Sequence, residues 1–113
     1  MASEAADYRV VDAPGKGRFE IRAGERVAGF TEYRRSGGLI AFTHTEVDPE
    51  LEGHGLGGRL IAAALDAARE QGLAVLPFCP FVRAYIAEHP DEYLDLVPEK
   101  QRAHFKLPAD NDT

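Results

Sequence analysis

Residues 47–60 read VDPELEGHGLGGRL and place four glycines within six positions, directly before a run with helical apolar spacing. Because glycines carry no side chain that blocks approach, several backbone N–H groups of such a loop can converge on one point. The first turn of a following helix adds unpaired N–H groups and a partial positive charge. The loop therefore predicts an anion site, most readily for phosphate or pyrophosphate. The alternative is that the glycines only form a tight turn between a strand and a helix.

The chain upstream of this loop is predicted to form strands. Residues 19–23 alternate apolar and charged side chains with period two, and Gly24-Glu25 follows as a two-residue turn with glycine first, as a type II′ hairpin requires. Residues 26–33 form the return strand, and a second turn follows at residues 36–38. With a short strand at residues 9–11, the first third of the chain is typical of an antiparallel meander.

The strand that leads into the glycine loop covers residues 39–47. It is apolar on both faces at its start, which suits a central position in a sheet. With period two, His44 and Glu46 are expected on the same face as Ile40 and Phe42. This pattern brings two titratable groups to the strand end beside the loop. For His44, the alternative is a structural, hydrogen-bonded role.

An amphipathic helix is predicted over about residues 57–71, since its apolar positions recur at i+4 and Gly72 closes it. A short apolar strand at residues 73–76 follows. Strands before and after one helix make a β-α-β unit, so these two strands are expected to be parallel. Pro77 cannot donate to a sheet ladder, which places the second strand at a sheet edge or diverging from its neighbour.

A second helix is predicted over residues 82–88, and His89-Pro90 ends it because the residue before proline avoids helical backbone. Residues 92–97 fit either a short helix or an extended segment. From residue 98 onward the chain is polar and is expected to be loosely held, with Phe105 and Leu107 as candidate anchors.

The chain has 113 residues, a net charge of −6 and one cysteine. We expect a flexible N-terminus at residues 1–8, one domain at residues 9–97 and a loosely ordered tail at residues 98–113. The acidic charge argues against a nucleic-acid partner, which requires a basic face, and mildly favours cationic or amine partners. A single cysteine cannot form an intramolecular disulfide and fits a reducing compartment.

The N-terminal residues and the length of the apolar runs indicate where in the cell the protein is expected. Residues 1–8 lack a basic start and an apolar core, so no signal peptide is expected. No apolar run approaches the roughly 20 residues that cross a bilayer. We therefore expect a soluble, cytoplasmic protein with no membrane partner and no metal site, either monomeric or weakly dimeric.

Two common phosphate motifs can be compared with the loop. Residues 53–58 satisfy G-x-G-x-x-G, but the dinucleotide fingerprint also needs an acidic residue about 20 positions further on, where this chain has Phe78 and Cys79. The upstream meander also lacks further parallel units. A nucleoside-triphosphate loop is excluded because no Gly-Lys-Ser/Thr follows the glycines.

Read as x-x-x-Gly-x-Gly between a meander and a helix, residues 52–57 resemble the acetyl-coenzyme A site of the GNAT superfamily of N-acetyltransferases. The run at residues 45–57 is similar to a compact subfamily of these proteins, as are residues 77–82 (PFCPFV) and 85–90 (YIAEHP). The resemblance covers about residues 8–97, and the three segments at this spacing are more specific than the glycine motif alone.

The resemblance implies an α/β (α+β) fold: a mixed, mainly antiparallel sheet with a β-α-β unit and two main helices. It further implies that acetyl-coenzyme A lies in a gap where the central and following strands diverge. The loop backbone would hold the pyrophosphate, and main-chain groups near Glu46 and Val47 would pair with the pantetheine arm. The implied cofactor-binding residues are Val47, Glu52, Gly53, His54, Gly55, Leu56, Gly57 and Gly58.

The resemblance also suggests residues for acetyl transfer to an amine, which needs a base, donors that polarise the thioester carbonyl and an acid for the departing thiolate. Glu46 is the family-typical base, with His44 as second candidate. Tyr85 resembles the tyrosine that many members direct at the cofactor sulfur; its alternative is a core aromatic. Cys79 opens toward a helix N-terminus, which permits a covalent acetyl-cysteine route, although a lone cysteine is more often a buried space-filling thiol.

Two departures from the family pattern matter for function. Glu52 stands where the family has Gln or Arg and puts a carboxylate near a pyrophosphate, which would weaken cofactor binding. The chain also lacks the pair of helices that most members carry between their first two strands, which leaves the acceptor amine open. The sequence thus predicts an acetyl-coenzyme A-dependent N-acetyltransferase of unknown acceptor. The alternative is a non-catalytic module that binds coenzyme A or an acyl-coenzyme A on a degenerate acetyltransferase fold.

Overall fold

The computed structural model describes residues 8–51, 53 and 55–108 of the chain. Five strands form one mixed sheet in the order β1-β2-β3-β4-β5, in which the first four are antiparallel neighbours and β4 and β5 are parallel. This arrangement confirms the predicted fold class and the meander. The strands are β1 (Tyr8–Ala13), β2 (Arg18–Ala23), β3 (Arg26–Ser36), β4 (Leu39–Val47) and β5 (Ala74–Pro77).

The tight turns follow from glycines that adopt left-handed backbone. Gly24 opens the two-residue turn between β2 and β3 with φ of 62°, and Gly37 opens the turn between β3 and β4 with φ of 59°. Few residues other than glycine tolerate such angles, so these two positions pin the registers of both hairpins.

The strands β4 and β5 diverge, as expected from the position of Pro77. They pair from Leu39 and Ala74 to Phe42 and Pro77, and β4 then continues to Val47 without this neighbour. The Cys79 N–H still donates to the Phe42 carbonyl at 2.9 Å, which marks the point where the two chains part. Among the strands that the structure describes, β5 is an edge strand, where a proline is tolerated.

The predicted faces of β4 are wrong beyond Phe42. Tyr33 of β3 pairs with Phe42, but Glu32 pairs with His44, so Thr43 is the extra residue of a β-bulge. A bulge interrupts the period-two alternation. As a result His44 and Glu46 lie on the face opposite the buried Phe42, and Thr45 takes the inward position.

The main helix, α1 (Leu56–Glu70), supplies most of the core opposite the sheet. Its inward stripe carries large aliphatic side chains, each of which contributes roughly 1.5–3 kcal/mol on full burial. On the sheet, the Phe19 and Tyr33 rings lie 5.2 Å apart and the Tyr33 and Phe42 rings 6.4 Å apart. The buried residues of α1 are Leu56, Gly57, Leu60, Ile61, Ala64, Leu65 and Ala68.

The segment after β5 is helical and packed. It contains α2 (Pro80–Glu88), α3 (Pro90–Tyr93) and α4 (Glu99–Arg102), with a 3-10 turn at Leu94–Leu96. Residues 98–108 differ from the expected loose tail, because Phe105 and Leu107 are buried in the core and hold the segment. Of the expected flexible residues 1–8, Tyr8 begins β1 and pairs with Ala23, whereas residues 1–7 lie outside the described part of the chain, as do residues 109–113.

Candidate functional site

A cavity of about 570 Å³ lies between the far end of β4 and the start of α1. On β4 its lining begins at Thr45, beyond the last residue that pairs with β5, Phe42. The cavity joins three elements: the end of β4, the glycine loop and the first turn of α2. Its lining residues are Thr45, Glu46, Val47, Pro49, Leu51, Gly53, Gly55, Leu56, Gly57, Gly58 and Phe81.

The glycine loop has the backbone that an anion site requires. Gly53 and Gly55 have φ of 92° and 73°, and apart from their chain neighbours no described residue has an atom within 4 Å of the place where a Cβ would stand on either one. Gly55 is the N-cap of α1, and the first helical hydrogen bond runs from the Arg59 N–H to the Gly55 carbonyl at 3.2 Å. The N–H groups of residues 56–58 therefore precede the helical ladder and point toward the cavity end of the helix.

The first turn of α1 contains no acidic residue, so its positive end is not neutralised from within the helix. The free N–H groups at residues 56–58 and the positive end of α1 both fit a phosphate or pyrophosphate group. Two of the predicted cofactor-binding residues, Glu52 and His54, lie outside the described residues. The other six, at positions 47, 53 and 55–58, all line the cavity.

The second half of β4 offers an open backbone edge. Residues 44–47 pair with β3 on one side, but among the described residues no strand pairs with the other side of this stretch. The exit of β4 is fixed by Asp48, whose N–H donates to the Ala28 carbonyl at 2.8 Å. The Asp48 carboxylate accepts from the Glu50 N–H at 2.9 Å and from the Arg26 guanidinium. The Glu50 N–H, followed by Arg26, holds the pKa of Asp48 below its usual value.

His44 and Glu46 form a pair on the exposed face of β4. His44 Nε2 donates to Glu46 Oε2 at 2.7 Å, and the two side chains are 52% and 62% exposed. His44 also lies against the Phe30 ring, at 6.2 Å between centroids. Glu46 lines the cavity, whereas His44 contacts it only through Glu46. A carboxylate held by an imidazole in this way can accept a proton from a group that enters beside it.

Cys79 lies on the inward side of β4, away from this pair. The residue is 4% exposed, and its thiol donates to Thr45 Oγ1 at 3.3 Å. Thr45 Oγ1 in turn lies 2.9 Å from Thr31 Oγ1. Cys79 is the N-cap residue of α2, as predicted, but its thiol faces a hydroxyl rather than a basic group. The arrangement is that of a buried, hydrogen-bonded thiol at the inner wall of the site.

Tyr85 is not brought to the main cavity. It lines a neighbouring cavity of about 360 Å³, which Phe81 separates from the cavity beside Glu46. Its ring stacks on His89 with centroids 4.2 Å apart. Burial, with smaller contributions from Glu92 and Asp66, raises the pKa of its phenol, so the hydroxyl keeps its proton at neutral pH.

Four residues that line the cavity were not predicted as site residues: Thr45, Pro49, Leu51 and Phe81. Phe81 lies against α1, since a Cβ on Gly57 would stand 2.5 Å from Phe81 Cζ. Thr45 joins the cavity to the Cys79 thiol. The pairing of Phe81 and Tyr85 at i and i+4 was a signal for a shared helix face. Nothing local in the sequence could reveal Thr45, because the bulge that turns it inward depends on pairing with β3.

The described part of the chain also limits other kinds of site. Over residues 8–51, 53 and 55–108, no group of three or more His, Cys, Asp or Glu side chains is placed to hold a metal ion. None of the helices within these residues is long and apolar enough to cross a membrane.

Comparison with known proteins agrees with this geometry. The chain is similar to a GCN5-like protein from Staphylococcus aureus, assigned as an N-acetyltransferase, whose structure was determined in solution by NMR. The TM-score is 0.62 at 26% sequence identity, and the similarity covers 81% of this chain and 89% of that one. No match was found among curated proteins. Residues 18–96 match the family of GCN5-related N-acetyl-transferases, which confirms the resemblance seen in the sequence. The chain therefore belongs to the GCN5-related N-acetyltransferase family.

Proposed function

We propose that the protein binds acetyl-coenzyme A in the cavity beside β4 and transfers the acetyl group to an amine acceptor. The observation that carries this proposal is the position of the glycine loop. Gly53 and Gly55 leave open space at the N-terminus of α1, directly beside the end of β4 that has lost its β5 neighbour. The proposed anion site and the open strand edge thus border the same cavity. Membership of the N-acetyltransferase family supports the same class of reaction.

The cavity walls suit the two chemical parts of this cofactor. The N–H groups at residues 56–58 and the positive end of α1 would hold the pyrophosphate. The open edge of β4 at residues 43–47 would donate to and accept from the amides of the pantetheine arm, in the manner of an added strand. Val47 and Leu51 supply apolar surface along the same wall.

Glu46 is proposed as the base. It borders the main cavity and also a groove of about 230 Å³ that contains Phe30 and Asp48, so it lies between the cofactor site and a route for the acceptor. His44 would orient the Glu46 carboxylate through their 2.7 Å hydrogen bond. The Glu46 carboxylate would also attract an acceptor that arrives as an ammonium ion.

The bound cofactor supplies an activated acetyl thioester with a thiolate leaving group. Glu46 would accept the proton that the attacking amine loses, and main-chain N–H groups on the open edge of β4 would stabilise negative charge on the carbonyl oxygen. We propose that the amine attacks directly. The Cys79 thiol is buried and hydrogen-bonded to Thr45, without a base in contact among the described residues, which argues against a covalent acetyl-cysteine route.

The test combines binding and turnover. A thermal shift with acetyl-coenzyme A should raise Tm by several degrees at saturating ligand, whereas NAD should not, because only a ligand of the native state stabilises it. Release of free thiol from acetyl-coenzyme A is then followed over a panel of amines. Stabilisation without thiol release from any amine would indicate the alternative, a module that binds acyl-coenzyme A without catalysis. Absence of both responses would contradict the proposal.

A further inference from the structure

The strand β2 carries a buried ion cluster that is not part of the site described above. Phe19 and Ile21 face the core, so Glu20 between them lies on the opposite face of the sheet. Glu20 is nevertheless 0% exposed, and a carboxylate is rarely buried without a partner. Its partners are Arg18, whose Nε and Nη2 both lie 2.7 Å from Glu20 Oε2, and Arg22, whose Nε donates to Oε1 at 2.8 Å. We call Arg18, Glu20 and Arg22 the β2 ion cluster.

The β2 ion cluster has an excess of positive charge. Burial by itself would raise the pKa of Glu20, but hydrogen bonds from Arg22 and Arg18 outweigh burial and lower this pKa, so the carboxylate is ionised at neutral pH. Two guanidinium groups and one carboxylate leave one positive charge unbalanced within the cluster. Arg18 lines the groove of about 230 Å³ that also contains Glu46, whereas Arg22 does not.

The groove has charges of opposite sign at its two ends. The Arg18 guanidinium lies over the Phe30 ring, with 4.3 Å between Cζ and the ring centroid. Phe30 is also the cross-strand partner of Glu46. Because β3 lies between β2 and β4, a basic side chain and an acidic side chain flank one aromatic ring.

The guanidinium of Arg18 keeps donors for a ligand. Glu20 occupies its Nε and Nη2, and within the part of the chain that the structure describes its Nη1 hydrogens have no partner. Glu32, its cross-strand neighbour on β3, forms no ion pair with it among these same residues. A guanidinium that stacks through its face and is held along one edge is pre-organised to bind a carboxylate or a phosphate.

We propose that the acceptor is a small amine that also carries a carboxylate or a phosphate, and that Arg18 binds this anionic group. The inference rests on the proposed function and names the class of acceptor. Glu46, Val47 and Pro49 line both the groove and the main cavity, so an amine beside Glu46 faces the cofactor site. The anionic group of the same molecule would reach Arg18 across the Phe30 ring.

The size and lining of the groove agree with such an acceptor. Its volume of about 230 Å³ is below the roughly 300–1,000 Å³ of pockets for drug-sized ligands. Val27 and Ala28 add apolar surface beside Phe30, which suits a short carbon chain between two charged ends. Simple amino acids and amino-alkyl phosphates meet these requirements. A diamine would place a second ammonium group beside Arg18 and is therefore disfavoured.

The test compares amines in pairs that differ in the anionic group. Glycine is paired with methylamine, β-alanine with ethylamine, L-leucine with isoamylamine and O-phosphoethanolamine with ethanolamine. Thiol release from acetyl-coenzyme A gives kcat/KM for each amine, and mass spectrometry identifies the acetylated product. In the wild type at least one anionic member should be preferred, and the pair that shows the preference distinguishes a carboxylate from a phosphate.

The variant Arg18→Gln tests the contact. It should lower the ratio of kcat/KM within the preferred pair at least about tenfold, mainly by raising KM of the anionic member, because a hydrogen bond to a charged group is lost. Comparing the same ratio in wild type and variant cancels the difference in basicity between the two amines. The matched control is Arg22→Gln, which removes the same charge from the same carboxylate but lies outside the groove and should keep the ratio.

The outcomes separate this inference from the function on which it rests. An equal loss of preference in both variants would assign the preference to long-range charge and overturn the contact with Arg18. An unchanged ratio in Arg18→Gln would overturn the contact as well. A wild type that uses the diamine putrescine better than every anionic amine would overturn the acceptor class without any variant, while acetyl transfer itself stands. Failure of the wild type to acetylate any of these amines would overturn the proposed transfer and the acceptor class together.

Discussion

The first half of β4, residues 39–42, pairs with strands on both sides, whereas in its second half residues 44–47 pair with β3 alone. Ile40 and Phe42 in the first half are 1% and 0% exposed, and His44 and Glu46 in the second half are more than half exposed. The bulge at Thr43 separates the halves and exchanges their inward and outward faces. One strand thus provides core packing at its start and a binding edge at its end.

The largest effect is expected on kcat, from substitution of the proposed base, Glu46, in the second half of β4. Glu46→Gln removes the proton acceptor but keeps nearly the same shape, so kcat should fall by about 10²–10⁴-fold with little change in affinity for acetyl-coenzyme A. Steady-state kinetics and calorimetry measure the two quantities. Glu32→Gln is the matched control, since Glu32 lies beside His44 on β3 and lines neither cavity. Unchanged kcat in the Glu46 variant would remove Glu46 from the reaction.

A substitution in the first half of β4 should instead change the stability of the folded protein. Phe42→Ala leaves a cavity in the cluster formed with Phe19 and Tyr33, and should reduce the free energy of unfolding by about 3–5 kcal/mol. Denaturant unfolding measures the change, with Leu39→Ala as control because Leu39 is 39% exposed in the same half of the strand. A loss as small as that of the control would mean that the paired half is not the structural part of β4.

The glycine loop should affect binding more than stability. Gly55→Val places a β-branched side chain at φ of 73° and fills the space beside the first turn of α1, so acetyl-coenzyme A affinity should fall at least about tenfold. Gly37→Val is the matched control, because Gly37 has φ of 59° and open space but lies in the distant turn between β3 and β4. If both variants bound the ligand as the wild type does, the loop would serve only as a turn.

Local sequence patterns were sufficient for the architecture. Three predictions depended only on residues close together in the sequence: the two-residue turn at Gly24, the apolar stripe of α1 and the edge position implied by Pro77. The structure agrees with all three. The glycine loop was recognised for the same reason, because its neighbours in the sequence are also its neighbours in the fold.

Long-range packing could not be read from the sequence. The alternation at Ile40, Phe42, His44 and Glu46 is regular, yet the register of β3 inserts a bulge that the pattern of β4 does not contain. Residues 98–108 were expected to be loosely held; Phe105 and Leu107, named as candidate anchors, do reach the core, but the sequence did not show that they would order the whole segment. The bulge and the ordering of residues 98–108 have one physical cause, since each depends on surfaces contributed by distant parts of the chain.

A smaller effect on kcat is expected from substitution of Cys79, which lies on the inward side of the second half of β4. If attack is direct, Cys79→Ala should lower kcat by less than about tenfold, well below the effect of losing a general base. Tyr85→Phe should be similarly mild, because its ring remains and a thiolate leaves readily near neutral pH. Intact mass after incubation with acetyl-coenzyme A alone provides the check. An acetyl adduct that disappears in Cys79→Ala would establish the covalent route and place the chemistry on the inward face.

The smallest effect is expected on the pH dependence of Tm, through Asp48, which fixes the chain just after the second half of β4. The Glu50 N–H and the Arg26 guanidinium lower the pKa of Asp48, so ionised Asp48 stabilises the folded state. This contribution is complete above the unfolded pKa of about 4 and is lost as the pH falls through the lower folded pKa. Asp48→Asn keeps the acceptor for the Glu50 N–H but removes the charge. Its Tm should therefore lie slightly below that of the wild type at pH 7 and approach it at pH 3. A constant difference between the two pH values would show that the Asp48 charge does not hold the open end of β4 in place.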